Sequence, residues 1–307
     1  MKKIIPIMII ASLLVAACGR SYEETKRLTR EQRREAARKD SAALKVAVMP
    51  TLDCLPLFVA QQYELFDTLH GGVRLKYFHA QIDCDSAMER GRVEGAVTDL
   101  VRAMRMDKRG TKMRYVAATN AYWLLVTNRN SRIKQLKQLE DKMVAMTRYS
   151  VTDMLADRAV DSVKLDRDHV FKVQVNDVFV RMQMLQNNIM DALCVTEPQA
   201  TTALAMKHQV VLDTRSLDWQ MGVVAFREKE MQRQARGKQL DLFVKAYNQA
   251  CDSINKHGVQ YYRDIIEKRC RMKAELIDSL PKNLKYAHAK GLRQQDMDVA
   301  QKWLEKK

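Results

Sequence analysis

Glycine and proline are scarce in this chain, at 10 and 5 of 307 residues. That scarcity excludes collagen-like repeats and Pro/Gly-rich low-complexity segments. The six cysteines include no CxxC pair and no zinc-ligand spacing with histidine. A P-loop, a GxSxG elbow, an HExxH helix and a paired histidine cluster are all missing. Aromatics are only 7% and are not interleaved with a basic stripe. The formal charge of +16 is spread over Lys and Arg mixed with Asp and Glu. It therefore reads as a solvated surface, and no nucleic-acid partner is expected. The six histidines are far apart. These absences predict a non-enzyme with no cofactor and no metal. What remains is an ordinary globular balance, 47% hydrophobic and 29% charged, long enough for two lobes with real cores.

The N-terminus addresses the compartment. MKK is a short positive region, and IIPIMIIASLLVAA is an apolar run with a small-residue end. The run falls short of the roughly 20 apolar residues of a spanning helix. It ends on Val15-Ala16-Ala17-Cys18, which resembles the lipobox of bacterial lipoproteins. The resemblance implies that residues 1–17 are a signal peptide and that Cys18 carries lipid. The protein would then be lipid-anchored in the cell envelope, facing the periplasm. The mature charge falls to +14 as Lys2 and Lys3 leave with the signal. Residues 18–43, charged on every face without an apolar stripe, read as an anchor and tether. As a flexible coil they would span roughly 25–30 Å. In an oxidising envelope the pairs Cys54–Cys84 and Cys251–Cys270 are candidate disulfides, with buried free thiols the alternative. The odd count of Cys54, Cys84, Cys194, Cys251 and Cys270 leaves at least one thiol free in a monomer.

The body opens on Leu44–Met49, and short apolar runs then alternate with helical stretches to about residue 228. That alternation predicts an α/β fold built on parallel sheets. Strands are expected near 73–78, 94–98, 114–118, 123–127, 142–146, 170–175, 191–195, 210–212 and 221–226. Helices dominate thereafter. Two segments resemble each other, RGRVEGAVTDL at 90–100 and NNIMDALCVTEP at 187–198. Each ends a helix on a residue that tolerates a left-handed cap, Gly91 or Asn188. Each continues as a short buried strand and finishes on Thr followed by an acid. This repetition points to two lobes of similar build.

Five marks in order then resemble a known family. They are LKVAVMPTLDCLPLFVAQQYELF, RGRVEGAVTD, LEDKMVAMTRYSVTDMLADRAV, NNIMDALCVTEP and the closing WLEKK. Together they are similar to the substrate-binding proteins of ABC importers, in the NMT1-like branch for nitrate, sulfonates and thiamine pyrimidine precursors. Glu64 and Asn188 stand where the family usually has Gly, and Tyr149 where a small residue is common. The Cys-rich motif of the family's eukaryotic pyrimidine-synthase relatives is absent.

The resemblance implies a two-lobed periplasmic-binding-protein-like (type II) fold, each lobe a mostly parallel sheet flanked by helices, with the ligand cleft between lobes. Lobe 1 would hold 44–125 plus 224–307, and lobe 2 would hold 126–223. The implied function is capture of a small solute and delivery to a transmembrane permease and its ATPase by a monomer. An envelope sensor and a sulfonate- or nitrate-binding protein are the alternatives. Because ligands gather outside the carboxyl ends of parallel strands, the expected ligand-binding residues are Asp53, Cys54, Asp99, Asn120, Tyr122, Trp123, Thr147, Ser150, Thr152, Asn176 and Glu197. Competing roles are capping for Ser150, Thr152, Asp99 and Glu197, core packing for Tyr122 and Trp123, and a turn for Asp53. Three acids, with Arg148 the one cation among these strand ends, lean toward an aminopyrimidine-like solute.

Overall fold

The computed structural model describes residues 22–66 and 72–307. The expected signal peptide and Cys18 lie outside the described residues. The chain divides into two units, Met1–Ala43 and Leu44–Lys307.

In the first unit, Tyr22–Ala42 is an α-helix, α1, and not the flexible coil expected of a tether. Its residues explain the difference. Glu, Arg, Lys, Gln and Ala are strong helix formers, and Arg27 and Glu31 pair at i,i+4. At 1.5 Å per residue, 21 residues give about 31 Å, so the rod matches the length of the coil it replaces.

The second unit contains ten strands and, after α1, ten further α-helices among the described residues. In chain order they are β1 (Leu44–Val48), α2 (Leu55–Gln62), β2 (Val73–Tyr77), α3 (Gln81–Glu89), β3 (Gly95–Asp99) and α4 (Leu100–Lys108). Next come β4 (Met113–Ala118), β5 (Leu124–Thr127), β6 (Lys142–Met146), α5 (Val151–Ser162), β7 (Val170–Gln174) and α6 (Val178–Gln186). The chain continues with β8 (Ala192–Val195), α7 (Gln199–Ala205), β9 (Gln209–Asp213), β10 (Gly222–Arg227) and α8 (Glu228–Met231). It closes with α9 (Gln234–His257), α10 (Arg263–Cys270) and α11 (Gln294–Leu304).

The strands form two five-stranded sheets, β2-β1-β3-β10-β4 and β7-β6-β8-β5-β9. The orders correspond strand for strand. In the first, β1 runs parallel to β2 and β3, and β10 antiparallel to β3 and β4. In the second, β6 runs parallel to β7 and β8, and β5 antiparallel to β8 and β9. The antiparallel members β5 and β10 are the first strands after each crossing, β5 entering the second lobe and β10 returning to the first. Two segments cross between the sheets, one joining β4 to β5 and one joining β9 to β10. They lie side by side, with Thr214 N–H donating to Trp123 O at 3.0 Å and Trp123 N–H to Thr214 Oγ1 at 2.9 Å.

The central strands β3 and β8 are buried along their whole length, as strands covered on both faces must be. One apolar cluster packs α2, α9 and α10 onto the first sheet, around Phe58, Phe226 and Phe243. A second joins both lobes beside the crossings, bringing Leu100 and Val101 of α4 against Val151, Met154 and Leu155 of α5. The five cysteines of this unit are all free and buried, so neither candidate disulfide is present. Cys54 and Cys84 pack into different clusters. The three residues that replace small ones in the family pattern all sit in the left-handed region, Glu64 at φ 53°, Tyr149 at 54° and Asn188 at 59°.

Candidate functional site

The ends of β1, β2 and β3 in one lobe face those of β6, β7 and β8 in the other. Between them lies a cavity with an empty volume of about 650 Å³, counting its open mouth. Seven expected residues line it: Asp53, Asp99, Trp123, Thr147, Ser150, Thr152 and Asn176. Four do not. Cys54 is packed in the lobe core, its sulfur accepting from Thr51 Oγ1 at 3.6 Å. Asn120 and Tyr122 line a separate pocket beside the crossings, with Arg215 and Lys285. Glu197 is buried behind the cavity wall.

Asp99 ends β3 and caps α4, its Oδ1 accepting from Arg102 N–H at 3.0 Å. The same oxygen accepts from Val151 N–H at 3.1 Å, the first residue of α5 in the other lobe. One carboxylate oxygen thus holds the starts of two helices, where each dipole favours negative charge. Burial pushes the Asp99 carboxyl up to about 7, against the lowering effect of Arg102. Asp53 is also raised by burial, partly offset by hydrogen bonds from Thr51 and Thr119.

The loop after β6 is a tight hydroxyl network. Ser150 Oγ accepts from Thr152 N–H at 3.1 Å and donates to Thr147 O at 2.6 Å. Thr152 Oγ1 accepts from Thr147 N–H at 2.9 Å. The capping role of Ser150 is therefore real, and both residues still line the cavity. Tyr149 is not among the residues that line the cavity. Its ring lies under Arg105, whose guanidinium is 4.1 Å from the ring centroid.

Sequence reasoning missed Arg181, Gln81 and Gln199, which also line the cavity. Arg181 is 3% exposed, and its guanidinium donates to Cys194 O and Thr147 Oγ1, each at 2.6 Å, and to Val175 O. Burial lowers it to about 10. Arg148, the one cation expected among the strand ends, is exposed and contributes only its carbonyl, which accepts from Arg102 Nη1 at 3.3 Å. Gln81 follows the end of β2 and Gln199 opens α7, so the strand-end rule could have found both. Arg181 lies one turn inside α6, where no local pattern marks a buried guanidinium.

The NMT1-like family matches residues 37–262. The chain belongs to that family. No curated protein matches the sequence. Among solved structures, this NMT1-like chain is similar to the alkanesulfonate-binding protein of Xanthomonas axonopodis pv. citri, bound to MOPS. The TM-score is 0.72 at 14% identity, over 86% of this chain and 91% of that one. It is also similar to the zinc-bound ligand-binding component of an ABC-type import system from Staphylococcus aureus. That match has a TM-score of 0.71 at 15% identity, over 86% and 91%. The periplasmic nitrate-binding protein of Synechocystis matches at 0.68 and 15% identity, over 83% and 74%. Across these three structures, the shared feature is the fold.

Proposed function

We propose that this NMT1-like protein is the extracytoplasmic solute-binding component of an ABC importer. It holds a small solute between its lobes and hands it to a permease. The observation that carries this reading is the cavity itself, bordered by strand ends from both sheets. Burial between two lobes lets a solute exchange its hydration for fixed partners on every side. The lipobox-like Cys18 adds an anchor to the membrane surface.

In this reading Asp53 and Asp99 are acceptors for a donor-rich solute. Thr147, Ser150, Thr152 and Asn176 supply further polar contacts, and Trp123 offers an apolar wall. Arg181 does not reverse the preference, because most of its N–H groups are spent on main-chain carbonyls and Thr147. With no cation paired to Asp53 among the described residues, an amino or ring N–H group is the chemical complement. The solute class is an aminopyrimidine-like molecule.

Calorimetric titration of the full chain with an aminopyrimidine, an alkanesulfonate and nitrate tests this. One saturating site for the aminopyrimidine is expected. Saturation by the anions alone would overturn the solute class, and silence with all three would overturn the solute-binding reading for these cargoes.

A further inference from the structure

The order of strands determines how far each cross-cleft contact lies from the crossing segments. β2 and β7 are the outer edges of their sheets, three strand positions from β10 and β5. At 4.7–4.9 Å per strand that is about 14 Å. A relative rotation of about 15° at the crossings would then part the β2 and β7 ends by about 4 Å. Contacts near β3 and β10 would move far less, and the apolar cluster of α4 and α5 beside the crossings resists their separation. Whatever joins the outer ends is therefore the contact that opening must break first.

That contact is a specific one. Val178 N–H, at the start of α6, donates to His79 O at 3.1 Å. Ala80 and Asp177 form an isolated antiparallel bridge. The His79 ring meets Phe179 edge-on with centroids 5.2 Å apart. The guanidinium of Arg271, also from the first lobe, sits 5.1 Å from the Phe179 centroid across the cleft. The neighbours of these residues, Gln81, Asn176 and Val178, line the cavity. One β-bridge residue pair, one aromatic contact and one cation–π contact make a join that is worth a few hydrogen bonds at most. Such a join can open and close without unfolding either lobe.

We propose that His79–Ala80 and Asp177–Phe179 form a gate across the mouth of the cleft. It acts on the escape of the solute and not on its contacts inside. The solute consequence rests on the proposed binding function, whereas the gate itself is testable with no solute present.

Bridged antiparallel pairs have Cα separations within disulfide range, so Ala80→Cys with Asp177→Cys reads gate closure as a cross-linking rate under mild oxidation. The native thiols are buried. The perturbing substitution is Val178→Pro, which deletes the one N–H that reaches His79. Proline suits the first helical position, and Asp177, at φ −75° and ψ 124°, has the extended conformation that precedes proline. Asp177→Cys itself removes the carboxylate that caps α6 at Phe179 and Val180, so both perturbations are read against the double-cysteine chain, in which that cap is already absent. Phe179→Ala is the second, independent perturbation. The cross-link is expected to form readily in the otherwise native chain and to slow at least tenfold with either perturbation, at an unchanged circular-dichroism melt of the reduced protein. Failure to cross-link, or an unchanged rate with both perturbations, would overturn the gate. Calorimetry on the unaltered chain addresses the solute separately.

Discussion

The segments around β3 and β8 follow one pattern and end in two different roles. Each is preceded by a left-handed cap, Gly91 at φ 68° and Asn188 at φ 59°. Each then carries an acid that accepts from the second residue of the neighbouring parallel strand. Glu94 takes Lys45 N–H at 2.7 Å, and Asp191 takes Met143 N–H at 3.0 Å. The next residue pairs with the same position of that strand, Gly95 with Val46 and Ala192 with Val144. At the far end the likeness stops. Asp99 borders the cavity and spans the lobes through Val151. Glu197 turns away, its Oε1 accepting from Tyr122 O–H at 2.6 Å and its Oε2 from Thr201 N–H at 3.0 Å. Both of its oxygens are thus used within the chain. A shared strand-to-helix junction delivers a carboxylate to the cleft, and the surrounding partners decide whether it faces the cavity or props up the wall.

The largest effect should come from the first position of the two strands, glycine in β3 and alanine in β8. A Cβ at Gly95 would lie 2.5 Å from Phe226 Cε1, whereas Ala192 faces the smaller Thr127 across β5. Gly95→Ala therefore overpacks a buried ring edge and should cost about 1–3 kcal/mol. The expected fall in Tm is about 2–4 °C per kcal/mol for a body of this size. Ala192→Gly removes a buried methyl and backbone stiffness, costing about 1 kcal/mol. Equal melting temperatures for the two variants would erase the asymmetry.

Much of this pairing was legible in the sequence. Lys142–Met146 is found at its expected boundaries, and the other expected strands shift by a residue or two at their ends. Short apolar runs between polar turns leave few alternatives to buried strands. The cap at Asn188 could be read because few residues tolerate positive φ. Glu64 and Tyr149 adopt it too, and nothing local announces that. The start of helix α4 could be read from its Asp99 cap, but not its partners α11 and α5, which are distant in sequence. The fate of Glu197 depended on Tyr122, 75 positions away, and the burial of Arg181 on the carbonyls of Val175, just past β7, and of Cys194 in β8. Periodicity reports which face is buried. It does not report which polar atoms meet there.

The second contrast removes the charge from each acid in turn. Glu197→Gln keeps the shape but can no longer accept from both Tyr122 and Thr201 without turning an amide N–H on one of them. The Tyr122 hydroxyl can accept from that amide, so a charge-assisted bond is exchanged for a neutral one, at a cost of about 1 kcal/mol. Asp99→Asn keeps an Oδ1 that can accept from both Arg102 and Val151, and it removes a carboxylate whose ionised form burial penalises. At pH 8 its stability should match or exceed that of the unaltered protein in urea unfolding. A larger loss for Asp99→Asn than for Glu197→Gln would reverse the roles drawn here.

The smallest effect is one of pH, and its sign follows from the same burial. The Asp99 carboxyl sits at about 7 in the folded protein, above its ordinary value of 3.8. The folded state therefore holds this proton more tightly than the unfolded chain does. Its contribution to stability is fully present below about pH 4 and is lost as pH rises through 7. Other buried acids add slopes of the same sign, Asp53 and Asp85 among them, so the total profile does not isolate Asp99. The difference between the unaltered protein and Asp99→Asn does. Plotted from pH 8 down to pH 5, that difference should move in favour of the unaltered protein, with most of the change starting near pH 7. A flat difference would mean that Asp99 is solvated enough to ionise freely, and its bond to Val151 would then be a surface contact and not a buried join between the lobes.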